Sequence, residues 1–121
     1  MLAPPNCDAV VTAPTDGEIG VSTDPAITWS AATGFPDGYL VSIGTTDGGT
    51  DVVDNVDVGN ALTYTPPTLG FLTEYFVTIT PYNGGGNATG CTSSSFTTEA
   101  DSTVPVDCAG APVNIVYCYC D

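Results

Sequence analysis

Short apolar runs of alternating polarity recur along the chain, each closed by Pro, Gly, Asn or Asp. Runs of period two set one face of a strand on a core and the other in water. Val10 to Ala13 gives a first strand, ended by Pro14 and the turn Asp16-Gly17. Ala26 to Ser30 gives a second, and Tyr39 to Gly44 a third after the turn Phe35-Pro36-Asp37-Gly38. Val52 to Val58, Leu62 to Thr65, Tyr75 to Tyr82 and Ser94 to Thr98 complete seven strands. Alternation is cleanest in the sixth, where Tyr75, Val77 and Ile79 share one face and Phe76, Thr78 and Thr80 the other. The run Gly84-Gly85-Gly86-Asn87 is expected to be a flexible loop before the last strand.

Ten prolines and fourteen glycines interrupt every window of helical length, which makes the chain all-β. At 121 residues it is one domain, large enough for a sandwich core. We expect the sandwich over residues 1–99, and over 100–121 a linker followed by an apolar, Cys-containing tail. That tail is either an intersubunit strand or the start of a further domain. No internal repeat occurs within the chain.

Charge removes whole classes of function. Fourteen carboxylates stand against no Lys, Arg or His. Nucleic acid is excluded as a partner, because neutralising phosphates needs Lys or Arg. Anionic membrane surfaces are excluded on the same ground, and no apolar stretch approaches the ~20 residues of a membrane span. Without imidazole or amine there is no Ser or Cys nucleophile relay and no Schiff base, so an enzyme is the least supported reading. Like-charge repulsion also opposes compactness unless salt, divalent cations or low pH relieves it.

The strand residues resemble the fibronectin type III family over roughly Pro4 to Thr98. Trp29 matches the family's Trp in its second strand and Tyr39 the Tyr early in its third. Leu69 stands six residues before Tyr75, as at the family's tyrosine corner, and Pro81-Tyr82-Asn83 is similar to its strand ending before a Gly-rich loop. The sequence departs from the family at Phe71-Leu72, where many members have Pro-Gly. The resemblance implies a seven-stranded Ig-like sandwich with an extended C-terminal tail. Segments such as Ser42-Ile43-Gly44-Thr45 and Gly90-Cys91 look like a bacterial subgroup from long secreted and cell-surface proteins, whose modules serve as spacers, adhesin repeats or binding units.

In such a sandwich the first and last strands run side by side. Cys7, just before the first, and Cys91, at the start of the last, are therefore expected to form a disulfide rather than stay as thiols. Closing a loop of roughly 80 residues stabilises the fold by on the order of 4 kcal/mol in the chain-entropy account. Cys108, Cys118 and Cys120 remain. If Val113 to Cys120 is extended, Cys118 and Cys120 share a side, about 7 Å apart and too far for an easy bond to each other. One is expected to pair with Cys108 and the other with a neighbouring chain. A zinc site there is incomplete, with no His and no fourth clustered Cys. Ile115, Tyr117 and Tyr119 face the other way and, with Val113, are the candidate intersubunit segment, added as a strand to a neighbour. Met1 to Pro5 has neither a basic start nor an apolar run, so the chain reads as a mature segment or a fragment of something longer.

Asp47, Asp51, Asp54 and Asp57 are the candidate calcium ligands, weighed against ordinary solvated turn carboxylates. No other cofactor is implied. Asn87-Ala88-Thr89 is an N-glycosylation pattern, and Asp101-Ser102-Thr103 is similar to an O-glycan acceptor of the same bacterial group, which makes Ser102 a candidate. Phe35, Phe71 and Tyr82 are aromatics able to stack on sugars at a surface. Two functions are expected. The first is a structural module of an extracellular or cell-surface assembly, self-associating or joined to neighbouring domains. The second is an adhesin-type module recognising glycan or protein through its loops.

Overall fold

The computed structural model describes residues 3–101. Nine strands form among them: β1 (Val11–Ala13), β2 (Glu18–Val21), β3 (Ile27–Trp29), β4 (Gly38–Gly44), β5 (Val53–Asp57), β6 (Thr63–Tyr64), β7 (Glu74–Asn83), β8 (Gly86–Asn87) and β9 (Ser93–Thr98). All seven expected strands are present, with ends shifted by a residue or two. The two extra strands correct the reading. The first strand runs until Pro14, which lacks the N–H a ladder needs, and the chain then resumes as β2 on the opposite sheet. The glycine run is no open loop, because Asn83 pairs with Gly86 and Tyr82 with Asn87, leaving only Gly84-Gly85 as a two-residue turn.

One sheet has the order β1-β3-β6 and the other β2-β9-β7-β4-β5, with β8 also on β7. β2 and β9 run parallel, and the remaining pairs are antiparallel. Ile27 and Trp29 face inward from the smaller sheet. Tyr39, Val41, Ile43, Val53, Tyr75, Val77, Ile79 and Phe96 meet them from the larger one. Every second residue of β7 is buried, from Tyr75 to Asn83, as the alternation requires. Each large apolar side chain so buried stabilises the fold by about 1.5–3 kcal/mol. Trp29 meets Tyr39 edge on at 5.9 Å between ring centroids, and the Tyr39 hydroxyl accepts from the Ala32 N–H at 3.0 Å.

Pro81 lies inside β7, a position normally closed to proline. Its carbonyl accepts from Ala88 N–H on the side where β9 has already ended and β8 has just begun. Its nitrogen faces the gap between those two strands, where no ladder partner is needed. β7 therefore continues through Pro81 to Tyr82, which pairs with Gly38.

Candidate functional site

The strand directions bring the chain in at one pole of the sandwich and take it out at the other. At the incoming pole Asn83 ends β7 with its side chain buried. Its Nδ2 donates to the carbonyls of Ala3 at 3.0 Å, Gly34 at 3.2 Å and Phe35 at 3.3 Å. Its Oδ1 accepts from Gly85 N–H at 2.7 Å. One amide thus joins the incoming segment, the β3–β4 loop and the β7–β8 turn. Sequence reasoning placed Asn83 at a strand end but missed this joining role, because its partners lie 48 to 80 positions away.

The expected Cys7–Cys91 disulfide is present, with 5.1 Å between Cα atoms. It ties the segment before β1 to the segment before β9. Beside it, Asp8 accepts from both the amide (2.9 Å) and the hydroxyl (2.6 Å) of Thr33. The Thr33 hydroxyl, then its amide, hold the Asp8 carboxyl below its ordinary value. Because β1 pairs with β3 while β2 pairs with β9, the sheets part between β1 and β9. An open groove of about 230 Å³ results, lined in part by Cys7, Ala9, Val11, Ile79 and Ser93.

At the outgoing pole Tyr75 forms the corner. Its hydroxyl accepts from Gly70 N–H at 2.8 Å, with Leu69 buried beside it. Thr98 is fully enclosed there; its hydroxyl donates to the Gly70 carbonyl at 2.6 Å and accepts from Thr73 N–H at 3.0 Å. Leu72 has φ of 51° and so holds the left-handed conformation that glycine adopts without strain.

The four candidate calcium ligands go separate ways. Asp51 accepts from the amide and hydroxyl of Thr45 at 2.9 and 2.7 Å, and the hydroxyl, then the amide, lower its pKa. Asp57 accepts from Gly59 N–H and the Tyr82 hydroxyl, which lower its pKa in that order, and the bond to Asp57 in turn pushes the Tyr82 hydroxyl up. Asp54 accepts from Asn55 and Asp47 from the Ser93 hydroxyl. No group of three or more His, Cys, Asp or Glu able to hold a metal occurs among the described residues. Asn87 is exposed on β8. Ser102, Cys108, Val113, Ile115, Tyr117, Cys118, Tyr119 and Cys120 lie outside the described residues.

No family model matches the sequence, and no curated protein matches it. Among solved structures the chain is similar to the solution structure of the fibronectin type-III domain of human fibronectin type III domain containing protein 3. Identity is 25%, the TM-score is 0.55, and 84% of this chain and 88% of that chain are covered. Two packed sheets with a tyrosine corner define an immunoglobulin-like β-sandwich. Within that class the chain has the fold of a fibronectin type III domain. Such a fold with a disulfide is typical of extracellular, non-catalytic modules, and no helix among the described residues is long and apolar enough to cross a membrane.

Proposed function

We propose that the chain is a structural module of an extracellular assembly, either a filament subunit or a repeat of a long surface protein, joined to its neighbour through segment 100–121. It works by geometry and has no enzymatic role. The observation that carries this reading is the polar separation of its ends. Ala3 is pinned to one pole by Asn83 and the nearby disulfide, and Glu99 is bonded to Leu72 at the other. Modules that receive the chain at one pole and release it at the other add head to tail, and such a contact propagates when it does not close. Electron microscopy of native material, with electrophoresis without reductant, tests it. Fibres or a reducible ladder are expected, and a monodisperse monomer in both overturns it.

A second reading, an adhesin-type module for glycan or protein, is favoured by the exposure of Phe35 beside the β7–β8 turn. Glycan arrays run with and without calcium test it, and blank arrays under both conditions count against it.

A further inference from the structure

Among the described residues three other than glycine have left-handed backbones: Phe35 (φ 61°), Asn55 (φ 47°) and Leu72 (φ 51°). Asn tolerates that region, whereas Phe and Leu are strained in it. These same two are among the most exposed large apolar residues, Phe35 at 82% and Leu72 at 71%. Strain combined with apolar exposure gives an isolated sandwich nothing, because glycine would relax the backbone and a polar side chain would suit water.

Their positions are not independent. The Phe35 carbonyl is bonded to Asn83, which also holds Ala3, so Phe35 stands where the chain comes in. Leu72 N–H donates to Glu99 at 3.0 Å, just past β9, so Leu72 stands where the chain goes out, with half-exposed Phe71 beside it. β7, ten residues long, separates the two poles by about 30 Å at ~3.3 Å per residue. Two apolar knobs at opposite poles cannot meet within one molecule. They can meet between two.

We infer that Phe35 of one copy packs against Phe71 and Leu72 of the next, so that the two poles are complementary halves of a single head-to-tail contact between copies of this chain. The inference rests on the proposed role as an end-to-end structural module. The contact has no side-chain ion pair. No Lys, Arg or His exists to bridge copies, and Asp37 at one pole would face Glu74 and Glu99 at the other. Repulsion between those carboxylates must be screened, so association strengthens with salt.

Sedimentation velocity on the full chain across a salt series tests this, with Phe35→Gly, Leu72→Gly and their equimolar mixture. Glycine removes each knob while suiting the backbone, so both variants should melt no lower than the wild type. The wild type is expected to form multimers that grow with salt, and each variant to associate about tenfold or more weakly, as for loss of a central apolar anchor. The mixture should give dimers and nothing larger, because one intact pole of each variant remains. If the wild type assembles and the variants assemble equally well, this contact is wrong while the module reading stands. If single variants weaken and their mixture forms no dimer, the contact is not head to tail and the inference fails. A wild type monomeric at every salt concentration overturns both.

Discussion

Asp8 grips Thr33 twice, through the amide and the hydroxyl, across 25 positions of sequence. Glu18 treats Thr15 in the same way, and Asp51 does so with Thr45. In a chain without a cation, threonine with its own amide supplies the two donors that a guanidinium usually would.

This pattern fixes the acid side of the stability curve. Asp8, Asp51 and Asp57 have lowered folded pKa values, so the native state holds fewer protons than the unfolded chain near pH 4. Their contribution is present above the ordinary carboxylate value of 3.8 and lost as pH falls through the folded values. Thr33→Val keeps the charge and removes a donor. Its melting temperature should fall less steeply below about pH 4 than that of the wild type, and the Asp8 carboxyl should titrate closer to its ordinary value by NMR. Unchanged titration of Asp8 would refute the assignment. Tyr82 works oppositely, since its raised pKa gives a contribution that is lost as pH climbs past 10.

At the corner, Tyr75→Phe leaves Gly70 N–H without its acceptor, and Thr98→Val strips the link between Gly70 and Thr73. Each should cost about 1–3 kcal/mol in urea unfolding with an unchanged m-value. Thr98→Ser, which keeps the hydroxyl, should recover most of the loss.

Two glycines are demanded by close approach. A Cβ on Gly44 would stand 2.4 Å from the backbone carbon of Gly49, and one on Gly38 would stand 2.4 Å from the Tyr82 hydroxyl. Backbone yields less readily than a half-exposed ring. Gly44→Ala should therefore destabilise by about 1–3 kcal/mol and more than Gly38→Ala, whose signature is loss of the Tyr82–Asp57 hydrogen bond. Equal melting temperatures for the two variants would contradict this order.

Replacing Cys7 and Cys91 together by Ala opens a link of sequence separation 84. Unfolding free energy should drop by about 4–5 kcal/mol if chain entropy dominates. Denaturant titration of the double variant measures it, and a loss below 1 kcal/mol would place the main constraint on residual structure in the unfolded chain.

Much of the sandwich was legible. β3, β4, β7 and β9 carry alternation strong enough to locate them, and the resemblance at Leu69 and Tyr75 marks the corner. β2 was not legible, because Ile19 is 77% exposed, Gly20 interrupts the run, and the change of sheets at Pro14 is decided by a distant partner, β9. The Asp47 to Asp57 series shows the converse. Nearness in sequence suggested one cluster, yet a strand and its bulge at Asn55 send the carboxylates to different partners. Asn83 escaped for a third reason: its importance lies in what three remote segments bring to it.

The Cys7–Cys91 link also decides how a pulled module would lengthen. Tension applied at Ala3 and Asp101 crosses from the segment before β1 to the segment before β9 through that bond, so the residues between Cys7 and Cys91, a sequence separation of 84, cannot be drawn out straight. Unlinked, they would pay out on the order of 280 Å of slack when drawn straight. Linked, they contribute 5.1 Å. A chain of such units is a tether of nearly fixed length under load, and a reductant turns it into an extensible one.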